Sequence, residues 1–206
     1  MKITKLAVQV KNSNRVNVFI DNQYTLSLTL DQILSQKLKV GLELDQSVIK
    51  QLQKLSEDGK MRAKALEWVL LRPHSQKELK QYLQKKQVQP ELISSICDEF
   101  ARKGYQNDEA FARWWVENRA RKNKSDRAIG DELRQKGISN EIISSALHKV
   151  DSQKERLAAL VCQKRQLPKY QADPVKFKRY LLGKGFAYSD IVEVLEDATD
   201  AEPGIF

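Results

Sequence analysis

The sequence predicts a mainly α protein: three tandem three-helix repeats stacked into an elongated, curved array, preceded by a small three-stranded antiparallel β region with two short helices. Three observations predict it. Apolar residues alternate with strand period from Ile3 to Leu28. Helical period takes over after about Ser56 and runs to roughly Ala198. Within that helical stretch a block of about 48 residues recurs three times.

The strand signal is carried by Val8 and Val10, then Val16, Val18 and Ile20, then Tyr24, Leu26 and Leu28. Asn12-Ser13-Asn14 and Asp21-Asn22 separate these runs with residues that tolerate the positive φ of tight hairpins. A three-stranded sheet needs a cover for its apolar face. Thr29 and Asp45 have the side chains of helix N-caps, with Gly41 between them, so two short helices supply that cover and residues 1–58 form one domain.

The repeat emerges when Ser75, Ser125 and Asp173 are aligned as N-caps. Seven trios downstream then fall into apolar register without gaps: Leu79/Ile129/Phe177, Leu83/Leu133/Leu181, Val88/Ile138/Phe186, Ile93/Ile143/Ile191, Ile96/Ala146/Val194, Cys97/Leu147/Leu195 and Phe100/Val150/Ala198. At 41% apolar residues, one such trio arises by chance about 7% of the time, so seven in one register mark a repeat. Between the second and third trios, Lys86/Lys136/Lys184 and then Gln87/Gly137/Gly185 occupy the place of a helix end with a left-handed residue; Gln87 departs from the glycine expected there. A second block lies upstream: Ala65/Ala112/Ala158, Trp68/Trp115/Val161, Val69/Val116/Cys162 and Arg72/Arg119/Arg165. The linker from arginine to cap grows from Pro73-His74 to five and then seven residues. The repeats span 59–106, 107–150 and 151–198, with an acidic tail at 199–206. Such units bury their apolar faces only by stacking. Trp115 falls in a core column. Trp114 shares its column with Glu67 and Leu160, so it either packs between repeats or stands on the surface.

Charge narrows the function. The chain carries a formal +9 and has a pI near 9.4, which favours a polyanionic partner. The excess is uneven: residues 1–58 carry 8 basic and 6 acidic groups, 59–150 carry 19 and 12, and 151–206 carry 9 and 9. Six of the last nine acids lie between Asp190 and Glu202, leaving a positive band across the second and third repeats. Its phosphate contacts would be sensitive to salt and blind to base sequence, for single- and double-stranded DNA alike.

No long apolar run suggests a membrane, and no secretory leader opens the chain, so a cytoplasmic protein with reduced Cys97 and Cys162 is expected. Two cysteines and two histidines, His74 and His148, both expected at the surface, do not make a zinc site. No phosphate loop, paired carboxylates or activated nucleophile is evident. A protein that is not an enzyme, with no cofactor and no small-molecule substrate, follows.

The cations divide by setting. Lys86, Lys136 and Lys184 lie where a cation complements a helix C-terminus. Arg72, Arg119 and Arg165 either do the same or form a basic row facing a partner. The loop Arg121-Lys122-Asn123-Lys124 has no evident helical duty and is the leading electrostatic contact. Arg113, Arg127 and Lys164 complete the basic candidates, and Trp114 joins them if exposed, because aromatics and arginines dominate interface hot spots. Ser75 and Glu78 have the spacing of a capping box.

Three strings carry a family resemblance: LLRPHSQKEL (Leu70 to Leu79), KGYQNDEAFA (Lys103 to Ala112) and ELRQKGISNEII (Glu132 to Ile143). In this order and spacing they resemble the RecX family of bacterial recombination regulators, from about Arg62 to Leu195, and the β-rich extension resembles that of longer members. The resemblance implies binding to RecA filaments on DNA and modulation, mostly inhibition, of strand exchange and coprotease function in recombination, DNA repair and the SOS response. The alternative reading is a DNA-binding protein that acts without RecA through a basic helical surface.

Overall fold

The computed structural model describes residues 1–10, 12–150 and 152–200. It divides into two compact units: an N-terminal one of Met1–Leu71 with Gln89–Ile96, and a helical one of Arg72–Val88 with the chain from Cys97 onward.

In the N-terminal unit, β1 (Ile3–Gln9), β2 (Asn12–Ile20) and β3 (Gln23–Thr29) form an antiparallel sheet in the order β1-β2-β3. Asp21 and Asn22 both take positive φ, 47° and 67°, and join Ile20 to its partner Gln23. This is the two-residue turn whose twist matches its flanking strands. Val16, Val18, Ile20, Leu26 and Leu28 all lie buried against α1 (Leu30–Ser35), α2 (Gln46–Leu70) and the turn between them. Thr29 caps α1 with a full capping box to Gln32. At the free edge of β3, Ser56 Oγ accepts from the Ser27 N–H at 3.3 Å and donates to the Ser27 carbonyl at 2.6 Å, and Arg15 also donates to that carbonyl at 2.6 Å. An open strand edge would otherwise invite pairing with another chain.

The second helix is not short. It starts after Asp45, as the sequence suggests, but runs 25 residues through Gly59 and past the boundary expected at residue 58. Ser56-Glu57-Asp58-Gly59 reads as a stop, yet Gln32 and Arg15 reach the Gly59 position and Ser56 is spent on β3. Tertiary contacts here override a weak local signal.

The helical unit contains α3 (Gln76–Lys85), the C-terminal part of α4 (Pro90–Arg102), α5 (Asp108–Ala120), α6 (Asp126–Gln135), α7 (Asn140–Leu147), α8 (Gln153–Lys164), α9 (Pro168–Gln171), α10 (Pro174–Gly183) and α11 (Tyr188–Asp200). The three aligned caps are real: the side chains of Ser75, Ser125 and Asp173 accept from the backbone N–H three residues on. Lys86, Lys136 and Lys184 are the C-caps. Gln87, Gly137 and Gly185 follow them at φ 57°, 83° and 92°, so Gln87 makes the left-handed turn without being glycine. α5 ends likewise: Asn123 has φ 53°, and the amide of Lys124 returns to the carbonyl of Arg119. The loop Arg121–Lys124 therefore has a helix-terminating duty after all. Ile129, Leu133, Ile138 and Ile143 are buried with Phe111, Ala112 and Val116; Phe177, Leu181, Phe186 and Ile191 are buried with Leu157, Leu160 and Val161.

The upstream register is one residue off in the third copy. Ala158 and Cys162 are exposed, while Leu157, Leu160 and Val161 are buried. Leu157, Leu160 and Val161 thus correspond to Ala112, Trp115 and Val116, and Lys164, not Arg165, corresponds to Arg119. Small residues at Ala158, Ala159 and Cys162 made both registers look apolar. The linker between α8 and α10 is partly helical as α9, with Tyr170 buried against Phe177 at a centroid distance of 4.8 Å.

Copies meet through a repeating joint. Asp108, at the start of α5, accepts the Gln76 N–H of α3 at 2.8 Å; Gln153, at the corresponding start of α8, accepts the Asp126 N–H of α6 at 2.9 Å. The glycine elbow of each later copy lies on the second helix of the copy before. A Cβ at Gly137 would come within 3.2 Å of Lys77, and one at Gly185 within 2.6 Å of Ser125 Oγ. Residues 201–206, most of the expected acidic tail, lie outside the described residues.

Candidate nucleic-acid interface

Two glutamates organise the basic residues of the helical unit. Glu78, on α3, is 9% exposed. Its carboxylate meets Arg72 at 3.2 Å, His74 Nδ1 at 3.1 Å and Lys136 of the next copy at 2.7 Å. Glu132, on α6, accepts from Arg119 at 2.6 Å, from Lys124, and from the indole N–H of Trp115 at 2.9 Å. Burial acts to raise the pKa of Glu78, but hydrogen bonds from Lys136 and Arg72, with their charges, outweigh it and hold the carboxyl below its ordinary range. Glu132 is held low in the same way, against burial, by Lys124 and Arg119.

The two clusters are bridged by aromatic rings. Arg72 lies over Trp114 at 5.1 Å, Trp114 packs edge-on to Trp115 at 6.0 Å, and Arg119 and Lys136 lie over Trp115 at 4.2 and 5.3 Å. Cations stacked on indole faces gain electrostatically from the ring quadrupole. Both tryptophans are half-buried. Trp115 therefore sits at the rim of the core rather than within it, because its indole N–H must reach Glu132. Trp114 packs on Phe111 and carries Arg72 of the first copy, so it belongs to the joint between copies.

This placement sorts the candidates. Arg72, Arg119 and Lys124 are turned inward onto carboxylates, and Arg165 donates to the carbonyl of Ala198. The three arginines do not make a uniform row: Arg72 follows the end of α2, Arg119 lies in the last turn of α5 and Arg165 caps α8, and each satisfies a different acceptor. Lys164 is half-buried. Arg121 is 76% exposed in its side chain, with Glu117 at 3.6 Å. Arg113, Lys122 and Arg127 are exposed, with no ion pair to a described residue. Lys149, which sequence reasoning passed over, lines one groove with Arg113, Glu109 and Glu141 and a second with Arg121, Glu117 and Glu155. Its place after an apolar helix, beside His148, gave no signal.

His74 is buried, 5% exposed, rather than at the surface, because from just before the Ser75 cap its Nδ1 meets the Glu78 carboxylate at 3.1 Å. That spacing of four was the available clue. Glu78 makes only half of the expected capping box: Ser75 accepts its amide at 3.1 Å while its carboxylate goes to the cations. Among the described residues no cluster of side chains suited to a metal ion occurs, and no helix is long and apolar enough to cross a membrane.

Comparison with known proteins adds kinship. The family model described as "Regulatory protein RecX N-terminal domain" matches residues 1–45, and that described as "RecX, second three-helix domain" matches residues 107–147. The chain is 30% identical over 208 residues to Regulatory protein RecX of Clostridium botulinum (strain Alaska E43 / Type E3), with 98% of each chain covered. To Regulatory protein RecX of Lactobacillus johnsonii it is 33% identical over 152 residues, 73% of this chain but 56% of that longer relative. A solved structure described as "Crystal structure of regulatory protein RecX" superposes with a TM-score of 0.73 at 23% identity, over 95% of this chain and 98% of the other. At that identity the likeness concerns the fold.

Proposed function

The chain belongs to the RecX family of regulatory proteins, and from that premise we propose that it binds the RecA filament on DNA. There it modulates, mostly by inhibition, strand exchange and coprotease activity in DNA repair. The regulator performs no chemistry of its own. It works in the cytoplasm by occupying filament surface and touching DNA phosphates of either single or double strands without reading bases. The observation that carries the reading is the division of cations. One set is consumed by Glu78 and Glu132, while Arg113, Arg121, Lys122 and Arg127 face solvent in the most basic part of the chain. Phosphate contacts of this kind are individually modest and add up across a repeating polymer.

A pull-down with free RecA, RecA filament on single-stranded DNA, and the same DNA alone tests it. Retention by filament well above retention by either component supports the proposal. Equal retention by bare DNA transfers support to a DNA-binding protein independent of RecA.

A further inference from the structure

The sheet of the N-terminal unit has two faces, and its core uses one of them. Val16, Val18, Ile20, Leu26 and Leu28 fill that inner face. Alternation turns Lys5, Ala7 and Gln9 on β1, Asn17 and Phe19 on β2, and Tyr24 on β3 to the other. None of these six residues is acidic. Across the three strands Lys5 pairs with Phe19 and Phe19 with Tyr24, which makes one continuous row. Lys5 Nζ lies 5.6 Å from the Phe19 ring centroid, and Tyr24 meets Phe19 edge-on at 6.0 Å. Lys5 is exposed, and Tyr24 is 53% exposed despite its size.

More than alternation specifies this row. Pairing counted from Val18 and Leu26 would set Thr25 against Phe19, but the register slips there and Tyr24 takes that place. Irregularities of this kind re-aim side chains. Beside the row, Gln9 Nε2 donates to Asn17 Oδ1 at 2.7 Å, which leaves the Gln9 side-chain carbonyl and the Asn17 amide N–H groups for an outside partner. An unpaired base and its phosphate call for a π face, a counter-charge and a donor–acceptor edge, and this face carries all three. Bases in a duplex are stacked on one another and present no free face to such a platform.

We propose that this face of the sheet is a stacking site for single-stranded nucleic acid, with a base on Tyr24, its phosphate against Lys5, and Gln9 and Asn17 beside the base edge. Arg113, Arg121, Lys122 and Arg127 belong to the other unit, and their phosphate contacts treat single and double strands alike. The N-terminal unit thereby adds a preference for unpaired bases that phosphate contacts do not supply.

Fluorescence-anisotropy titration of the full chain with a thymidine oligonucleotide, an abasic strand of the same length and a duplex of that length tests this. The parent should bind the thymidine strand more tightly than the other two, and ultraviolet crosslinking should attach thymidine to the peptide that holds Tyr24. Tyr24→Thr keeps a strand-forming residue at an exposed position. It should weaken binding of the thymidine strand about tenfold, as loss of one stacked base does, and leave the abasic strand and the duplex unchanged. Tyr24→Trp should restore the parental affinity, and Lys5→Gln should lower the slope of log K against log salt on the thymidine strand by about 0.7. A parent that binds the abasic strand as tightly as the thymidine strand overturns the inference and needs no variant to do so; it leaves the phosphate contacts of the helical unit standing. Tyr24→Thr that folds and binds thymidine as the parent does has the same consequence. If that variant loses the RecA filament while keeping its DNA affinities, the face is a protein contact and the inference falls. A parent that binds none of the three strands removes it together with the DNA contact proposed above.

Discussion

Gly185→Ala probes the joint between the second and third copies. A β-carbon there would lie 2.6 Å from Ser125 Oγ and 2.7 Å from Ala128 Cβ, on a backbone with φ +92°. Carbon atoms in contact prefer about 3.5–4.0 Å, so one side of the joint must withdraw by about 1 Å. Ser125 is fully buried and holds the cap of α6, so withdrawal disturbs the cap as well as the packing. Overpacking of this kind costs about 1–3 kcal/mol and the left-handed backbone about 1–2 kcal/mol, offset by about 0.4–1 kcal/mol from a stiffer unfolded chain. The net loss should be about 2–4 kcal/mol. Gly104→Ala is the control: its φ is +72° but nothing lies within 4 Å, so it should lose only about 0.5–1 kcal/mol. Urea unfolding followed by far-UV circular dichroism measures both. Equal losses at the two glycines would refute the joint.

Three further outcomes follow from particular contacts. Gln87→Gly relieves a left-handed non-glycine residue and should stabilise the protein by about 0.5–1 kcal/mol, read as a higher urea midpoint; a lower midpoint would mean the Gln87 side chain makes a contact worth more than the strain. Glu78 and Glu132 have folded pKa values below their unfolded ones, so their contribution is complete above the ordinary carboxylate range and is lost as pH falls through the lowered values. Glu78→Gln should therefore flatten the loss of stability below about pH 4.5, and an unchanged acid limb would remove Glu78 from the account. Trp115→Ala should cost about 3–4 kcal/mol and Trp114→Ala about 2 kcal/mol, because only Trp115 donates to Glu132; thermal or urea unfolding that reversed the order would contradict the assignment of the two rings.

Local chemistry was legible in the sequence, and long-range chemistry was not. Caps at Ser75, Ser125 and Asp173, and elbows at Gly137 and Gly185, announce themselves because each residue acts on its own few neighbours. The sheet was legible for the same reason, through alternation and the Asp21-Asn22 turn. The extent of α2 was not, since Ser56 is explained only by Ser27, 29 residues earlier. Nor was the fate of the arginines: Glu132 is 13 residues from Arg119, and Lys136 is 58 from Glu78. Counting charge along the chain finds the basic region but does not separate cations held by Glu78 and Glu132 from cations facing solvent.

That separation is the centre of the functional reading, and salt-titrated binding to a RecA filament on single-stranded DNA tests it most directly. The variant Arg113→Ser, Arg121→Ser, Lys122→Ser, Arg127→Ser should unfold like the parent yet bind about tenfold or more weakly at low salt. Its slope of log K against log salt should shrink by about 0.7–0.9 for each phosphate that is no longer neutralised. A variant that keeps both the parental affinity and the parental slope would contradict the reading, and would assign the phosphates to cations outside this set.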